Sequence, residues 1–255
     1  MFTLTSELAE LAGLFAADGS MQKDHLCYWG NITEDKEYYD TIIKPYFEKA
    51  FSINVRPHPK KSNSVYGFYA CNKKVLHYFN KTLDYPIGSK TYTVRCPKII
   101  MHSKKPLIWA AFIRGFFDGD GCLTFDKRYD NRYRKVLQIV HHHPRIITNC
   151  ASQKIIEDLS ILLERLKINH FSRIKRNKKQ NEVDMFTLEI YGKPRMEQWM
   201  NVIGFSNPSH FSKYEIFKRH GFVPVRTTLA QRKKIIKGII NPWQFYPKGS
   251  VAQFG

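Results

Sequence analysis

The chain has 255 residues, enough for one large domain or two modest ones, and its 41 Lys and Arg against 22 Asp and Glu leave a formal charge of +19. That excess selects a polyanionic partner, nucleic acid ahead of an anionic membrane surface. No apolar run is long enough to cross a bilayer, because the one beginning at Leu107 is broken by Arg114 and Asp118, and the start "MFTLTSELAE" has no basic secretory region.

In chain order, residues 8–17 form an apolar helix with one charge, Glu10, ending at Asp18 and Gly19. "HLCYWGNI" suits a strand, and "EDKEYYDTIIKPYFEKAF" spaces Tyr38, Tyr39, Ile42, Ile43, Tyr46 and Phe47 as a helix does. Pro45 inside it predicts a kink or break. "INVRPHP" and "SVYGFYACN" read as two strands around a basic turn, and "KKVLHYFNKTL" puts Val75, Leu76, Phe79 and Leu83 on one helix face. Residues 84–104 join the two halves and carry a short strand of their own.

The same order then repeats. "FIRGFFDGDGC", residues 112–122, ends a second apolar helix at Asp120 and Gly121, with Arg114 its one charge over 107–117. "CLTFDKRYDNRYRKVLQIVHHH" reads as a long hairpin turning near Asp130–Asn131. "SQKIIEDLSILLERLKI" is an amphipathic helix with Ser152 at its N-cap. A strand pair around another basic turn follows, and Met196, Trp199, Met200 and Ile203 mark the closing helix. The fold class is therefore α+β: two copies of helix, hairpin, helix, hairpin, helix. The lobes span residues 1–104 and 105–215, and a basic appendage spans 216–255.

The five cysteines have wide, irregular spacing and no C-x-x-C pair, which fits reduced thiols in an intracellular protein. "HHHP" at 141–144 reads as a strand end rather than a metal site.

The paired helices carry the chemistry. Gly13 and Ala17 share one helix face, as do Gly115 and Gly119, so the backbones can approach closely and relate the lobes by a pseudo-twofold axis. That packing brings Asp18 and Asp120 together. Each is followed by glycine, the usual residue of a left-handed helix stop. Two carboxylates at negative helix ends repel, and a hard divalent cation such as Mg²⁺ removes the conflict. The bland reading, two helix-end acids on nearby Lys or Arg, accounts for one copy but poorly for two.

"LAGLFAADG" and "IRGFFDGDG", with "VRCPKI" ahead of the second, resemble the two motifs of monomeric LAGLIDADG homing endonucleases. The first copy departs at the fifth and sixth positions. The sixth is Ala16 there and Asp118 in the second copy, and it is not the essential acid. The resemblance implies a Mg²⁺-dependent, intron- or intein-encoded endonuclease that cuts both strands of a long, asymmetric DNA site as a monomer with no obligate protein partner. It implies a saddle-shaped antiparallel sheet in each lobe for the major groove. Asp18 and Asp120 would be catalytic metal ligands, joined by the carbonyls of Ala17 and Gly119. Two or more Mg²⁺ ions are implied, with Mn²⁺ able to substitute and Ca²⁺ supporting binding alone. Lys90 in "IGSK" and Lys213 in "FSK", which follow the Ile-Gly pairs 87–88 and 203–204, match the family's cleavage-pocket lysines. Glu34 in "ITEDK" stands where other members carry Gln. It is either an outer group of the site or a helix N-terminal acid.

The predicted hairpins are basic. Arg56, His58, Lys60, Lys61 and Tyr66 in the first lobe, and Arg128, Arg132, Arg134, Lys135, Gln138, Arg173, Lys175, Arg176, Lys178 and Lys179 in the second, are the candidate double-stranded DNA contacts. Most would grip phosphates, while mid-strand Arg and Gln would read base edges. The implied location is at DNA, in a prokaryotic cytoplasm or an organelle matrix, with no membrane association. The rival reading is a non-cleaving relative: a maturase on host intron RNA, or a DNA-binding regulator. The ends "MF" and "AQFG" lack the nucleophile and His-Asn pair of protein splicing, so that activity is not expected.

Overall fold

Two helices fix the architecture. In the computed structural model, which describes residues 2–60, 64–127, 140–175 and 183–246 and the backbone of 129–130 and 135–136, α1 (Ser6–Asp18) and α6 (Pro106–Asp120) pack backbone to backbone. A Cβ added at Gly13 would lie 2.1 Å from the carbonyl oxygen of Phe112, and one at Gly115 would lie 2.0 Å from that of Glu10. The contact is reciprocal, as a pseudo-twofold axis between the helices requires. The one charge in each apolar stretch finds the other across the interface. Arg114 Nε and Nη2 both donate to Glu10 Oε2, at 2.9 and 2.6 Å, and Nη1 donates to the Ile203 carbonyl at 2.7 Å. Glu10 is fully buried, so removing either partner would leave an uncompensated interior charge.

Each lobe builds an antiparallel four-stranded sheet beside its helix. In the first, β1 (Gly19–Met21), β2 (Leu26–Asn31), β3 (His58–Pro59) and β4 (Val65–Ala70) stand in the order β1-β2-β4-β3. Alternation sends Leu26, Tyr28, Tyr66, Phe68 and Ala70 into a core with Phe15, Phe47 and Phe79. The opposite face is free. Helices α2 (Ile32–Tyr38) and α3 (Lys44–Phe51) cross between the hairpins, and α4 (Lys73–His77) closes the lobe.

The second lobe repeats the plan. Short α5 (Lys98–Met101) precedes α6, and β5 (Gly121–Asp126), β8 (His143–Cys150), β9 (Phe171–Lys175) and β10 (Met185–Tyr191) stand in the order β5-β8-β10-β9. Strands β6 (Tyr129–Asp130) and β7 (Lys135–Val136) pair antiparallel as a separate two-stranded sheet. Helices α7 (Gln153–Arg165) and α8 (Lys193–Val202) back the sheet, and α9 (Pro208–His220) and α10 (Leu229–Ile236) follow. Among the described residues no helix is long and apolar enough to cross a membrane.

Several expectations change. The local break expected at Pro45 takes the form of a π-turn, Tyr39–Ile43, which interrupts the α-helical pattern just ahead of the proline in the first turn of α3. The strand that pairs with β5 is His143–Cys150, in register from Asp126–His143 to Gly121–Thr148. It lies past the predicted hairpin, because Ile146 and Thr148 are the residues that meet the core beside Leu123 and Phe125. The linking segment contributes one bridge, Gly88 to Met21, rather than a strand. Gly19 and Gly121 are not left-handed stops: both are extended, at φ −76° and −89°. They are glycine because a Cβ would strike the ring of Phe15 or the carbonyl of Phe117, at 2.3 and 2.5 Å. Ser152 occupies the N-cap of α7, but its hydroxyl donates to the Val94 carbonyl at 2.7 Å. The boundary drawn at residue 215 falls inside α9.

Candidate active site

The reciprocal glycine contacts bring the C-terminal ends of α1 and α6 to one point. A Cβ at Gly119 would lie 2.7 Å from Ala17 Cβ and 3.0 Å from Asp18 Oδ2, so the Asp18 carboxylate rests over the residue that precedes Asp120. Neither helix carries a basic residue in its last turn. Burial first, then the facing Asp120 and Asp35, push the Asp18 carboxyl up to about 8, with Lys90 opposing. The Asp120 carboxyl is also raised by surrounding protein and lowered by Lys90. A pair of acids both shifted upward in this way is short of a cation. Their hard oxygens suit a small dication. Among the described residues no three His, Cys, Asp or Glu gather as a metal cluster, so helix-end carbonyls and water would complete the shell.

Lys90, expected at the cleavage pocket, lies there. Its Nζ donates to the carbonyls of Ala16 and Ala17, at 2.6 and 2.7 Å, capping the negative end of α1. Burial lowers its pKa while Asp120 and Asp18 raise it. The Ala17 carbonyl, proposed as a metal ligand, thus already accepts from an ammonium. Lys213 occupies the other flank: its Nζ donates to the Leu123 carbonyl at 3.2 Å and lies 3.9 Å from Cys122 Sγ. Burial lowers its pKa too, and Glu34 and Asp35 are among its charged neighbours.

Glu34 turns away from the acids. Its Oε2 accepts from Ser209 Oγ at 2.6 Å and from Arg232 Nη2, and its Oε1 accepts from the Leu229 amide at 3.0 Å. The next residue, Asp35, faces the site instead, and sequence reasoning passed over it. Asp35 Oδ1 accepts from Asn207 Nδ2 and Oδ2 from the Asn31 amide, each at 2.8 Å. Gly30 was the available signal, since a Cβ there would lie 2.9 Å from Asp35 Oδ2. Asp118 is structural, as its motif position implies. Buried, it accepts from the amides of Ser206 and Asn207 at 2.8 and 3.0 Å and fixes the start of α9.

The candidate DNA contacts divide. Arg56 and Lys60 are exposed beside β3, and His58 packs edge-on to Trp29 and Tyr69 on the free face of the first sheet. Tyr66 belongs to the core face instead: it is 6% exposed, and its hydroxyl donates to Asp40 at 2.7 Å. Arg173 and Lys175 lie exposed on β9, with Arg173 Nη2 on Glu189 Oε1 at 2.6 Å. The free face of that sheet also presents Arg145, 3.5 Å from Asp126. Arg145 was missed because its strand was missed. Lys61, Arg128, Arg132, Arg134, Gln138, Arg176, Lys178 and Lys179, and the Lys135 side chain, lie outside the described residues.

Residues 108–204 match the model of the LAGLIDADG-like domain family. Those residues are a LAGLIDADG-like domain. Its fold is similar to that of the homing endonuclease I-DmoI. A structure of I-DmoI mesophilic variants aligns at TM-score 0.51 and 13% identity over 78% of this chain and 88% of that one. A structure of I-DmoI with DNA and Mn aligns at TM-score 0.50 and 14% identity, over 79% and 98%. Among curated proteins, this chain is 30% identical over 155 residues to a probable translation initiation factor IF-2 of Methanocaldococcus jannaschii. It is 27% identical over 215 residues to the replication factor C small subunit of the same organism. The alignments cover 60% and 83% of this chain but 12% and 10% of those proteins.

Proposed function

We propose that this LAGLIDADG protein is a site-specific endonuclease that cuts both strands of a long, asymmetric DNA site with Mg²⁺, as a monomer. The observation that carries the reading is the pair of proton-hungry carboxylates, Asp18 and Asp120, on touching helix ends beside Lys90. The free sheet faces of the two lobes, with Arg56, Lys60, Arg145, Arg173 and Lys175, would track the duplex on either side. The lobes differ in sequence, so the target need not be a palindrome. Support for a portable module comes from the curated matches. One segment recurs in an initiation factor and in a replication factor, filling 12% and 10% of their lengths.

Asp18 and Asp120 would hold the divalent ions, which lower the pKa of a bound water and stabilise the leaving oxygen when present. The chain's own groups do the rest. Lys90 and Lys213, drawn in by backbone carbonyls, offer ammonium charge to the phosphodiester at the two flanks of the acids. The glycine contacts set the distance between the acids, and the Glu10–Arg114 pair locks it. Cleavage-site selection from a random DNA library tests the reading: Mg²⁺ should yield double-strand cuts at one sequence, and Ca²⁺ should yield binding without cuts. No selected sequence would overturn it.

A further inference from the structure

The appendage has more structure than a basic tail needs. Arg232 on α10 is 2% exposed, an uncommon depth for an arginine. Its guanidinium is fully engaged: Nε donates to Ser212 Oγ at 2.9 Å, Nη2 to Ser209 Oγ at 3.0 Å and to Glu34, and Nη1 to the Thr227 carbonyl. Ser209 and Ser212 belong to α9, while Glu34 belongs to α2 of the other lobe. Lys233 pairs with Glu37, one turn further along α2. The appendage thus ties the first lobe to the second at α2.

The helix it holds borders the acids. Asp35 follows Glu34 and is gripped by Asn207 Nδ2, which also donates to the Asp118 carbonyl at 3.2 Å. A path of partly buried polar contacts therefore runs from Arg232 to Glu34, along the backbone to Asp35, and through Asn207 to the second motif helix. The opposite flank has a counterpart. The inter-lobe segment grips α7 through Arg95 and the Cys96 amide, both on Asp158, at 3.1 and 2.9 Å. The end of α1 is held differently, by Lys90 on the Ala16 and Ala17 carbonyls. The two motif-helix ends are therefore held by different groups, an ammonium on α1 and, on α6, an amide linked to the appendage.

We propose that α10 is an inter-lobe latch and that Arg232 is a positioning residue. It acts through Glu34 and Asp35 to hold Asn207 on the Asp118 carbonyl at the end of α6, on one side of the site only. The consequence for cleavage rests on the nuclease reading above; the latch itself does not. Loosening it should disturb one strand's cut more than the other's.

The test uses the full chain and its selected DNA site, with each strand labelled separately. Arg232→Lys keeps the charge but loses the fork, and it should change the ratio of the two strand rates about tenfold, so that nicked DNA accumulates. If Arg232 acts through Asp35, the double variant Arg232→Lys/Asp35→Asn should be no slower on that strand than Asp35→Asn alone. A uniform slowing of both strands, or effects that multiply, would overturn the positioning role. Amide hydrogen exchange on the metal-free, DNA-free protein gives an arm independent of cleavage. Arg232→Lys should speed exchange in α2 and at the Asn207 side-chain amide while sparing β2 and β4, and unchanged exchange in α2 would overturn the latch. Should Arg232→Lys fail to fold, Glu34→Gln breaks the same contact from the other side. If the wild-type chain cuts nothing, the nuclease reading fails while the exchange arm still decides the latch.

Discussion

Gly13→Ala is the sharpest perturbation of the lobe interface, because two effects of known size oppose each other there. In an isolated helix, alanine in place of glycine stabilises by about 1 kcal/mol. Here the added Cβ would sit 2.1 Å from the Phe112 carbonyl oxygen and 2.8 Å from the Phe116 amide nitrogen. An ordinary carbon–oxygen approach is about 3.3 Å, so the helices must part by roughly 1 Å. Both obstructing atoms are backbone and cannot rotate away, which puts the overpacking cost at the upper end of about 1–3 kcal/mol. The contact should win by roughly 1–2 kcal/mol, a fall in Tm of about 2–8 °C for a chain of this size by calorimetry. The same displacement separates Asp18 from Asp120, so cleavage should fall by up to about 100-fold while DNA binding persists. A Tm equal to or above wild type would show that propensity prevails and that the backbones are not in contact.

Other outcomes follow from single groups. Since burial, Asp120 and Asp35 raise the Asp18 carboxyl from 3.8 to about 8, its contribution to stability is full below pH 3.8 and is lost as pH climbs through 8. In EDTA, Asp18→Asn should therefore raise Tm at pH 8 and leave it unchanged near pH 3; a lower Tm at pH 8 would contradict the crowding of acids. Added Mg²⁺ should stabilise the wild type and not the variant. Lys90→Met should cripple cleavage yet leave affinity in Ca²⁺ within a few-fold, as read by gel shift. Tyr66→Phe should cost about 1 kcal/mol by denaturant titration through the lost Asp40 bond, with no change in DNA affinity. Arg173→Ala should weaken DNA binding and reduce the slope of log affinity against log salt by about 1.

What the sequence revealed and what it hid have physical causes. The motif helices were legible because close packing leaves a local trace: small residues four apart, twice, with one charge apiece. Those charges prove to be partners. The acid pair followed from that geometry. The conformation of Gly19 and Gly121 was not legible, because a helix-stop glycine and a glycine squeezed by an aromatic ring look the same in one dimension. The choice between Glu34 and Asp35 was hidden for a related reason. Adjacent helix residues point about 100° apart, and the partner that Glu34 meets, Arg232, lies some two hundred positions away. Arg145 was lost when a strand was placed one segment too early. Register there is set by which residues meet Leu123 and Phe125, a long-range fact.

The central claim is that Asp18 and Asp120 together form a divalent-ion-dependent cleavage site for DNA. The most direct measurement is cleavage of the selected site by wild type, Asp18→Asn and Asp120→Asn in Mg²⁺, with binding in Ca²⁺ measured alongside. The account predicts double-strand cuts by the wild type, loss of them in both variants, and binding retained by all three. Full cleavage by either variant, or none by a wild type that binds the site in Mg²⁺, would contradict it.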